Sequence, residues 1–326
     1  MTAVSAVVCT YSEERRPQLL AAVDSLRRQT VPPDEVVVVV DHHPVLLAEL
    51  RRSLPDVTVV ESRRAPGLSG SRNEALAVCR GEVVVFLDDD AVAAPDWLAA
   101  LLHHLSDPTV MGAGGHAEPY WEGGRPAWFP AEFDWVVGGS YRGQPETAAE
   151  VRNVLGSNMA FRTGLLRAVG GFRESMGRVG THPAGCEETE LCIRLRQRWP
   201  AGRIVLEPLA RVVHRVPLQR ARAGYYLARC FAEGVSKARV AALVGGRDGT
   251  ASERRHALRT LPRGVAREVL GGVRRADPGG PLRAAAIVAG LATVAAGFLA
   301  QAAGGVTRTR PGAAPAPLAF IETDDE

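Results

Sequence analysis

Over roughly the first 110 residues, short unbroken apolar runs alternate with stretches whose apolar positions recur every three or four residues. Such alternation is expected when helices cover both faces of a parallel sheet, because a strand buried on both sides has no polar face to show. Runs at Val4–Thr10, 36–40, 57–60 and 83–87 predict four such strands. Between the first two, Pro17 suits the first turn of a helix whose Leu19, Val23 and Leu26 share one face. Open sheets of this kind gather ligands at the carboxyl ends of their strands. Thr10, Tyr11, Asp41 and the aspartates 88–90 are therefore expected to converge on one crevice.

Beyond residue 110 the pattern loosens, and 112–141 reads as Gly-, Pro- and aromatic-rich loop carrying Trp121, Trp128 and Trp135. A helix is expected after 158–161, another over Glu187–Arg198, and an Arg-rich helical region over 219–283. From 284 to 307 no residue is charged, with Arg274, Arg275 and Arg283 before the stretch and Arg308 and Arg310 after it. A bilayer span needs about 20 apolar residues, so the length suffices. Ala and Gly dominate, however, and the strong apolar side chains are Ile287, Val288, Leu291, Val294, Phe298, Leu299 and Val306. This is a candidate transmembrane or membrane-embedded helix, with a buried or interfacial helix as the alternative. The tail 308–326, Pro/Ala-rich and then acidic, is expected to be disordered. The expected division is thus a catalytic domain over 1–240, a helical region over 241–283, the apolar helix and the tail.

Composition narrows the class. With 326 residues, 46% of them hydrophobic, the chain can bury a substantial core. Its formal charge is +3, and Lys237 is the only lysine, so the positive charge is almost all arginine. Five cysteines, odd in number and without CxxC spacing, argue against a disulfide framework and a zinc ribbon and for a reducing compartment. No basic segment followed by an apolar core opens the sequence, so a cleaved secretory leader is not expected. The patterns GxGxxG and GxxxxGK[ST] are absent, which disfavours a nicotinamide enzyme and a P-loop ATPase.

The chemistry begins at "FLDDDAVAAPDW", where three aspartates close an apolar run. Their repulsion is relieved by a hard divalent cation, Mg²⁺ or Mn²⁺, which takes oxygen ligands from carboxylates and phosphates. Strand alternation sends Asp88 and Asp90 to one side and Asp89 to the other, making Asp88 and Asp90 the working pair. A solvated turn capping the next helix is the plainer alternative. In "GLSGSRNEAL" the glycines permit close backbone approach, and Arg72 and Asn73 near a helix start are candidates to bind a phosphate or a base edge. "GCEETELCIRL" puts Glu187, Glu188 and Glu190 at the start of an amphipathic helix. Favourable meeting with the helix dipole explains Glu190, whereas crowding of Glu187 and Glu188 raises a carboxyl pKa toward a general base's range. His214 ends another apolar run, where a structural role competes with metal ligation.

In this order the stretches resemble the family 2 glycosyltransferases, which have the GT-A fold. The matching stretches are "VVCTYSE", Asp41, "GLSGSRNEAL", "FLDDDAVAAPDWL", "GSNMAFR", "VGGF", "CEETELCIRL" and "VVHRVP", over roughly residues 4 to 240. The resemblance implies an α/β fold with a Rossmann-like, mostly parallel central sheet flanked by helices, followed here by a helical C-terminal extension. It also implies a nucleotide-diphosphate sugar donor and a Mn²⁺ or Mg²⁺ cofactor. Thr10, Tyr11, Glu13, Asp41, Arg72, Asn73, Asp88, Asp89 and Asn158 would then bind the nucleotide sugar. Asp90, Asp88 and His214 would hold the metal, and Glu188, or else Glu187, would be the base. The base would activate an acceptor hydroxyl for a single inverting displacement, with Asp89 tolerant of Asn. His42 and His43 replace the usual acidic and small residues after Asp41. No QxxRW element appears, which favours transfer of one sugar. Basic "QRARAGYYLARCFAEGVSKA", with Arg220, Arg222, Arg229, Lys237 and Arg239, is a candidate to dock on anionic lipid headgroups. The acceptor is expected to be lipid-linked, an envelope glycan or a small molecule, met at the cytoplasmic face of a membrane, with no nucleic acid partner. Arg- and Ala-rich usage suggests an actinobacterial-type, membrane-associated member. Two rivals are a nucleotidyltransferase and a catalytically silent sugar-nucleotide-binding or membrane scaffold protein.

Overall fold

The computed structural model describes residues 2–180, 183–246, 248–249 and 256–304. Strand β1 (Val4–Thr10) leads through a 3-10 turn into helix α1 (Arg16–Arg27), whose Leu19, Ala22, Val23 and Leu26 are buried. Strand β2 (Glu35–Val40), helix α2 (Pro44–Ser53), strand β3 (Thr58–Glu61), helix α3 (Leu68–Val78) and strand β4 (Val83–Asp88) complete the first half. The strands β1 to β4 pair in parallel in the order β3-β2-β1-β4, as the apolar runs predict.

The second half extends the same sheet with β5 (Ala91–Ala93), α4 (Trp97–Leu105), β6 (Val110–Trp121), β7 (Ala149–Glu150), β8 (Asn158–Arg162), α5 (Thr163–Ala168), α6 (Glu187–Arg198) and β9 (Arg203–Val216). The full order is β3-β2-β1-β4-β8-β6-β9-β5, with β8 antiparallel to both neighbours and β7 paired to β9. One face packs against α1, α2 and α4 through Leu26, Leu50, Trp97 and Leu101. The opposite face packs on α3, α5 and α6 through Leu76, Leu166, Leu191 and Leu195.

The long strand β6 corrects the loop expected from residue 112. Glycines within it read as loop signals, but here they answer to crowding. A Cβ on Gly112 would lie 2.3 Å from the Phe161 ring, and one on Gly115 only 1.8 Å from the Ala210 carbonyl oxygen. The register with β9 also slips between Gly115 and His116, which breaks the period on which strand recognition depends.

Helices α7 (Ala223–Val244), α8 (Leu261–Arg275) and α9 (Gly279–Ala303) follow. They close over residues 129–137 in a third cluster of Phe129, Phe133, Tyr226, Leu261 and Ile287. The α7–α9 crossing is set by glycine: a Cβ on Gly234 would lie 2.0 Å from the Val294 carbonyl oxygen, and one on Gly297 2.1 Å from that of Phe231. Tyr226 donates its hydroxyl to the Ala286 carbonyl at 2.8 Å. Among the described residues, α9 is the one helix long and apolar enough to cross a membrane, and 22% of its most apolar window is buried. Residues 305–307 of the expected apolar segment and the tail 308–326 lie outside the described residues.

The crossing gives a direct test. Gly234→Val is expected to cost about 1–3 kcal/mol by overpacking, measured by denaturant unfolding. Gly164→Ala, inside helix α5 where a Cβ meets nothing within 4 Å, should not lower the midpoint and is expected to raise it slightly.

Candidate active site

The carboxyl ends of β1, β2 and β4 open onto a cavity of about 600 Å³, a size usual for small-molecule sites. Thr10, Tyr11, Asp41, Asp88, Asp89 and Asp90 line it. Strand β9 supplies the next residue: His214 stands opposite Ala91 of β5, and the Arg215 amide donates to the Asp90 carbonyl at 2.9 Å. His214 Nε2 thereby comes 3.0 Å from Asp90 Oδ1. One ligand atom from each of Asp88, Asp90 and His214 lies within 4.8 Å of the others. Burial alone would raise the Asp90 pKa, but His214, Arg220 and Arg15 outweigh it and hold the carboxyl far below the ordinary range. Two carboxylates, one kept ionised, and an imidazole fit a divalent cation, and the nitrogen donor favours Mn²⁺ over Mg²⁺.

The strand alternation expected across the three aspartates does not apply, because β4 ends at Asp88; Asp89 lies in the turn that follows, lines the same cavity and is buried against the Arg15 guanidinium. Arg15 also reaches Asp90 at 3.4 Å and lies over the Tyr11 ring, 5.0 Å from its centroid. Burial pushes Asp89 up to about 7 against the pull of Arg15. Asp41 accepts the Gly67 amide at 2.8 Å and contacts His42 Nδ1 at 2.7 Å.

Arg72 joins the aspartates to the start of α6. Only 2% exposed, its guanidinium donates to Glu187 at 2.9 Å and to the Gly156 carbonyl at 2.8 Å, and stands 3.5 Å from Asp88. The rings of Phe86 and Phe172 flank it. Its charge is thus spent inside the protein, on a carboxylate that would otherwise be buried and unpaired. Glu188, half-buried on the cavity wall, has no such cation partner among the described residues and accepts from Thr189 Oγ1 at 3.1 Å. Burial, and then the neighbouring Glu187, push its carboxyl up to about 8. Glu190 is fully buried between Arg173 and Arg194, a structural role.

Three residues expected at the nucleotide sugar stand elsewhere. Asn73, one position and about 100° around the helix from Arg72, accepts the Phe172 amide and donates to the Phe172 carbonyl, each at 2.8 Å. Asn158 is fully buried, accepting from Trp97 Nε1 at 2.7 Å and donating to the carbonyls of Ala210 and His116. It caps the backbone groups freed where β6 and β9 slip register. Glu13 projects outward, 51% exposed, 3.7 Å from His43. The basic stretch expected to face lipid headgroups is likewise partly turned inward: Arg220 stands 3.5 Å from Asp90, and Arg229 pairs with Glu233 at 2.9 Å. Arg15, whose guanidinium reaches both Asp89 and Asp90, carries no motif signal beyond its place in the turn after "TYSE". The cavity's far wall of Trp135, Leu261, Leu291, Val294 and Phe298 joins segments too distant in sequence to be linked by any local pattern.

The model of the family described as Glycosyl transferase family 2 matches residues 5–170. The chain is 35% identical over 241 residues to a glucosyl-dolichyl phosphate glucuronosyltransferase of Haloferax volcanii, covering 72% of this chain and 76% of that protein. It is 31% identical to a pre-mycofactocin glycosyltransferase of Mycobacterium tuberculosis over 49% of this chain, and so spans only 32% of that relative. Among solved structures, a mannosyltransferase from Pyrobaculum calidifontis in complex with GDP-Man and Mn²⁺ superposes with a TM-score of 0.56 at 19% identity. That match covers 90% of this chain and 87% of the other, and it bears out the α/β, GT-A-like fold.

The crowding at α6 has a thermodynamic signature. A folded chain that holds the Glu188 proton up to about 8, against 4.5 ordinarily, binds more protons than the unfolded chain between those values, so its stability falls as pH rises through that window. In metal-free buffer, Glu188→Gln should melt close to the parent at pH 4.5 and several degrees higher at pH 8.5. A pH-independent difference in melting contradicts the crowding.

Proposed function

The chain belongs to glycosyl transferase family 2, and on that premise we propose that it moves one sugar from a nucleotide-diphosphate sugar to an acceptor hydroxyl with inversion at the anomeric carbon. The reading rests on one observation: the Asp88–Asp90–His214 cluster and Glu188 line the same cavity at the strand ends. Membership in the family sets aside the nucleotidyltransferase and the silent scaffold considered from sequence.

Thr10, Tyr11 and Asp41 line the nucleotide end of the site, and Asp88, Asp90 and His214 would hold Mn²⁺ or Mg²⁺. When bound, that cation neutralises charge on the departing nucleoside diphosphate. Arg220 and Arg15, set against Asp90, add positive charge on the same side. Glu188 takes the proton from the acceptor hydroxyl as its oxygen attacks the anomeric carbon opposite the leaving group. Of the adjacent glutamates, Glu187 is the poorer base because its carboxylate is already engaged by Arg72 at 2.9 Å, whereas Glu188 has no ion-pair partner among the described residues and binds a proton more tightly. Arg72 then acts as a strut that fixes the donor side relative to the base.

The acceptor we favour is lipid-linked, at the cytoplasmic face of a membrane. The named activity of the Haloferax relative is on a dolichyl phosphate-bound glucose, and α9 carries exposed Leu282, Val288 and Leu299 that would seat the protein on lipid.

Two measurements check this. Release of nucleoside diphosphate from a panel of sugar nucleotides should stop with EDTA, return with Mn²⁺, and fall about 10²–10³-fold in Asp90→Asn; metal-independent turnover that survives Asp90→Asn removes the cation from the account. The rate should rise with pH toward about 8 and then level, in line with the raised Glu188 carboxyl. Glu188→Gln should lose about 10²–10⁴-fold together with that pH limb, while Glu187→Gln keeps a limb but moves it to lower pH, since the neighbouring charge that raises Glu188 is gone. The opposite pattern would make Glu187 the base.

A further inference from the structure

The carboxylates occupy only part of the cavity. Arg178, Arg220, Arg229, Lys237, Leu291 and Phe298 line it as well, and the packing connects them. Gly185, just before the α6 glutamates, donates its amide to Ser236 of α7, and Cys186 contacts Glu233 at 3.2 Å. One turn from Glu233, Arg229 lies over the Trp135 ring, 5.7 Å from its centroid. The same α7 segment meets α9 backbone to backbone at Gly234 and Gly297, so the wall passes from Glu188 to basic α7 and then to apolar α9. There Leu291 and Leu299 line the cavity while remaining 37% and 65% exposed, so the apolar end opens to the outside.

Within the basic part, Arg178 has no carboxylate within ion-pair reach among the described residues, while Arg229 and Lys237 both reach Glu233, at 2.9 and 3.5 Å. Burial pushes the Tyr225 phenol upward, but the charges of Arg220, Arg178 and Arg229 outweigh it and hold it below its usual pKa.

We infer that this arm of the cavity is the acceptor's own subsite, in which Arg178 and Arg229 read the phosphate of a long-chain alkyl or prenyl phosphate and α9 carries its chain out between Leu291 and Leu299. The inference rests on the lipid-linked acceptor proposed above and adds the residues that recognise it. An anionic group between two guanidinium ions, with an apolar wall leading outward, matches an amphiphile carrying a phosphate and not a free glycan or a neutral lipid. Arg178→Gln is a mild change, since the backbone carbonyl of Arg178, which accepts the Leu68 amide at 2.9 Å, is kept.

Binding of farnesyl phosphate, farnesol and inorganic phosphate to the full chain, measured by isothermal titration calorimetry, tests it. Farnesyl phosphate should bind at least about tenfold more tightly than either of the others. Arg178→Gln should reduce its advantage over farnesol to about threefold or less, and Leu299→Asp should weaken both farnesyl compounds. Equal binding of farnesyl phosphate and farnesol, or an advantage untouched by Arg178→Gln, overturns the inference. So does displacement of farnesyl phosphate by saturating nucleoside diphosphate and Mn²⁺, which would give the arginines to the donor. Turnover indifferent to Asp90 and Glu188 would instead defeat the proposed function beneath it, whatever farnesyl phosphate does.

Discussion

Asp88, Asp89, Asp90, Glu187 and Glu188 line one cavity, and keeping that much like charge in a partly dry space is the constraint around which the molecule is organised. Four of the five are set against cationic side chains, Asp88 against Arg72 at 3.5 Å. Asp89 is set against Arg15, Glu187 against Arg72, and Asp90 against His214 and Arg220, whereas Glu188 responds to the crowding by holding its proton more tightly. One carboxyl kept ionised and another kept basic, within a single cavity, are the two states that a departing diphosphate and an attacking hydroxyl respectively need.

The sheet explains how residues so far apart in sequence reach one place. Parallel strands deliver Thr10, Asp41 and Asp88 to the same edge because their carboxyl ends align. The later antiparallel strand β8 and the long pair β6–β9 carry the chain back, and the register of β9 against β5 sets His214 beside Asp90. Helix α7 then brings its basic face to the start of α6, and α9 covers the remaining side. Glycine at the α7–α9 crossing is what allows that cover to sit so close.

Much of this was legible from the chain. Strands β1 to β4 and helix α1 follow from apolar runs and a single helical face, and the bounds of α6 coincide with those expected. What escaped has identifiable causes. Strand β6 reads as loop because its glycines serve close packing. Asn73 and Asn158 stand within motif stretches, but a polar side chain that satisfies backbone groups looks, in sequence, the same as one that meets a ligand. Arg220 and Arg229 read as part of a headgroup-facing basic stretch because charge along the sequence does not reveal which charges find carboxylates. Glu187 and Glu188 are indistinguishable in "CEETEL" until Arg72, more than a hundred residues away, selects one of them.

The proposed cation is the point on which the functional account turns. Crystals soaked with Mn²⁺ and a nucleoside diphosphate, measured at the manganese absorption edge, test it most directly. The account predicts an anomalous peak within bonding distance of carboxylate oxygens of Asp88 and Asp90 and of the His214 imidazole, with the diphosphate beside it. A peak elsewhere, with Asp90 still closed on His214, would contradict it.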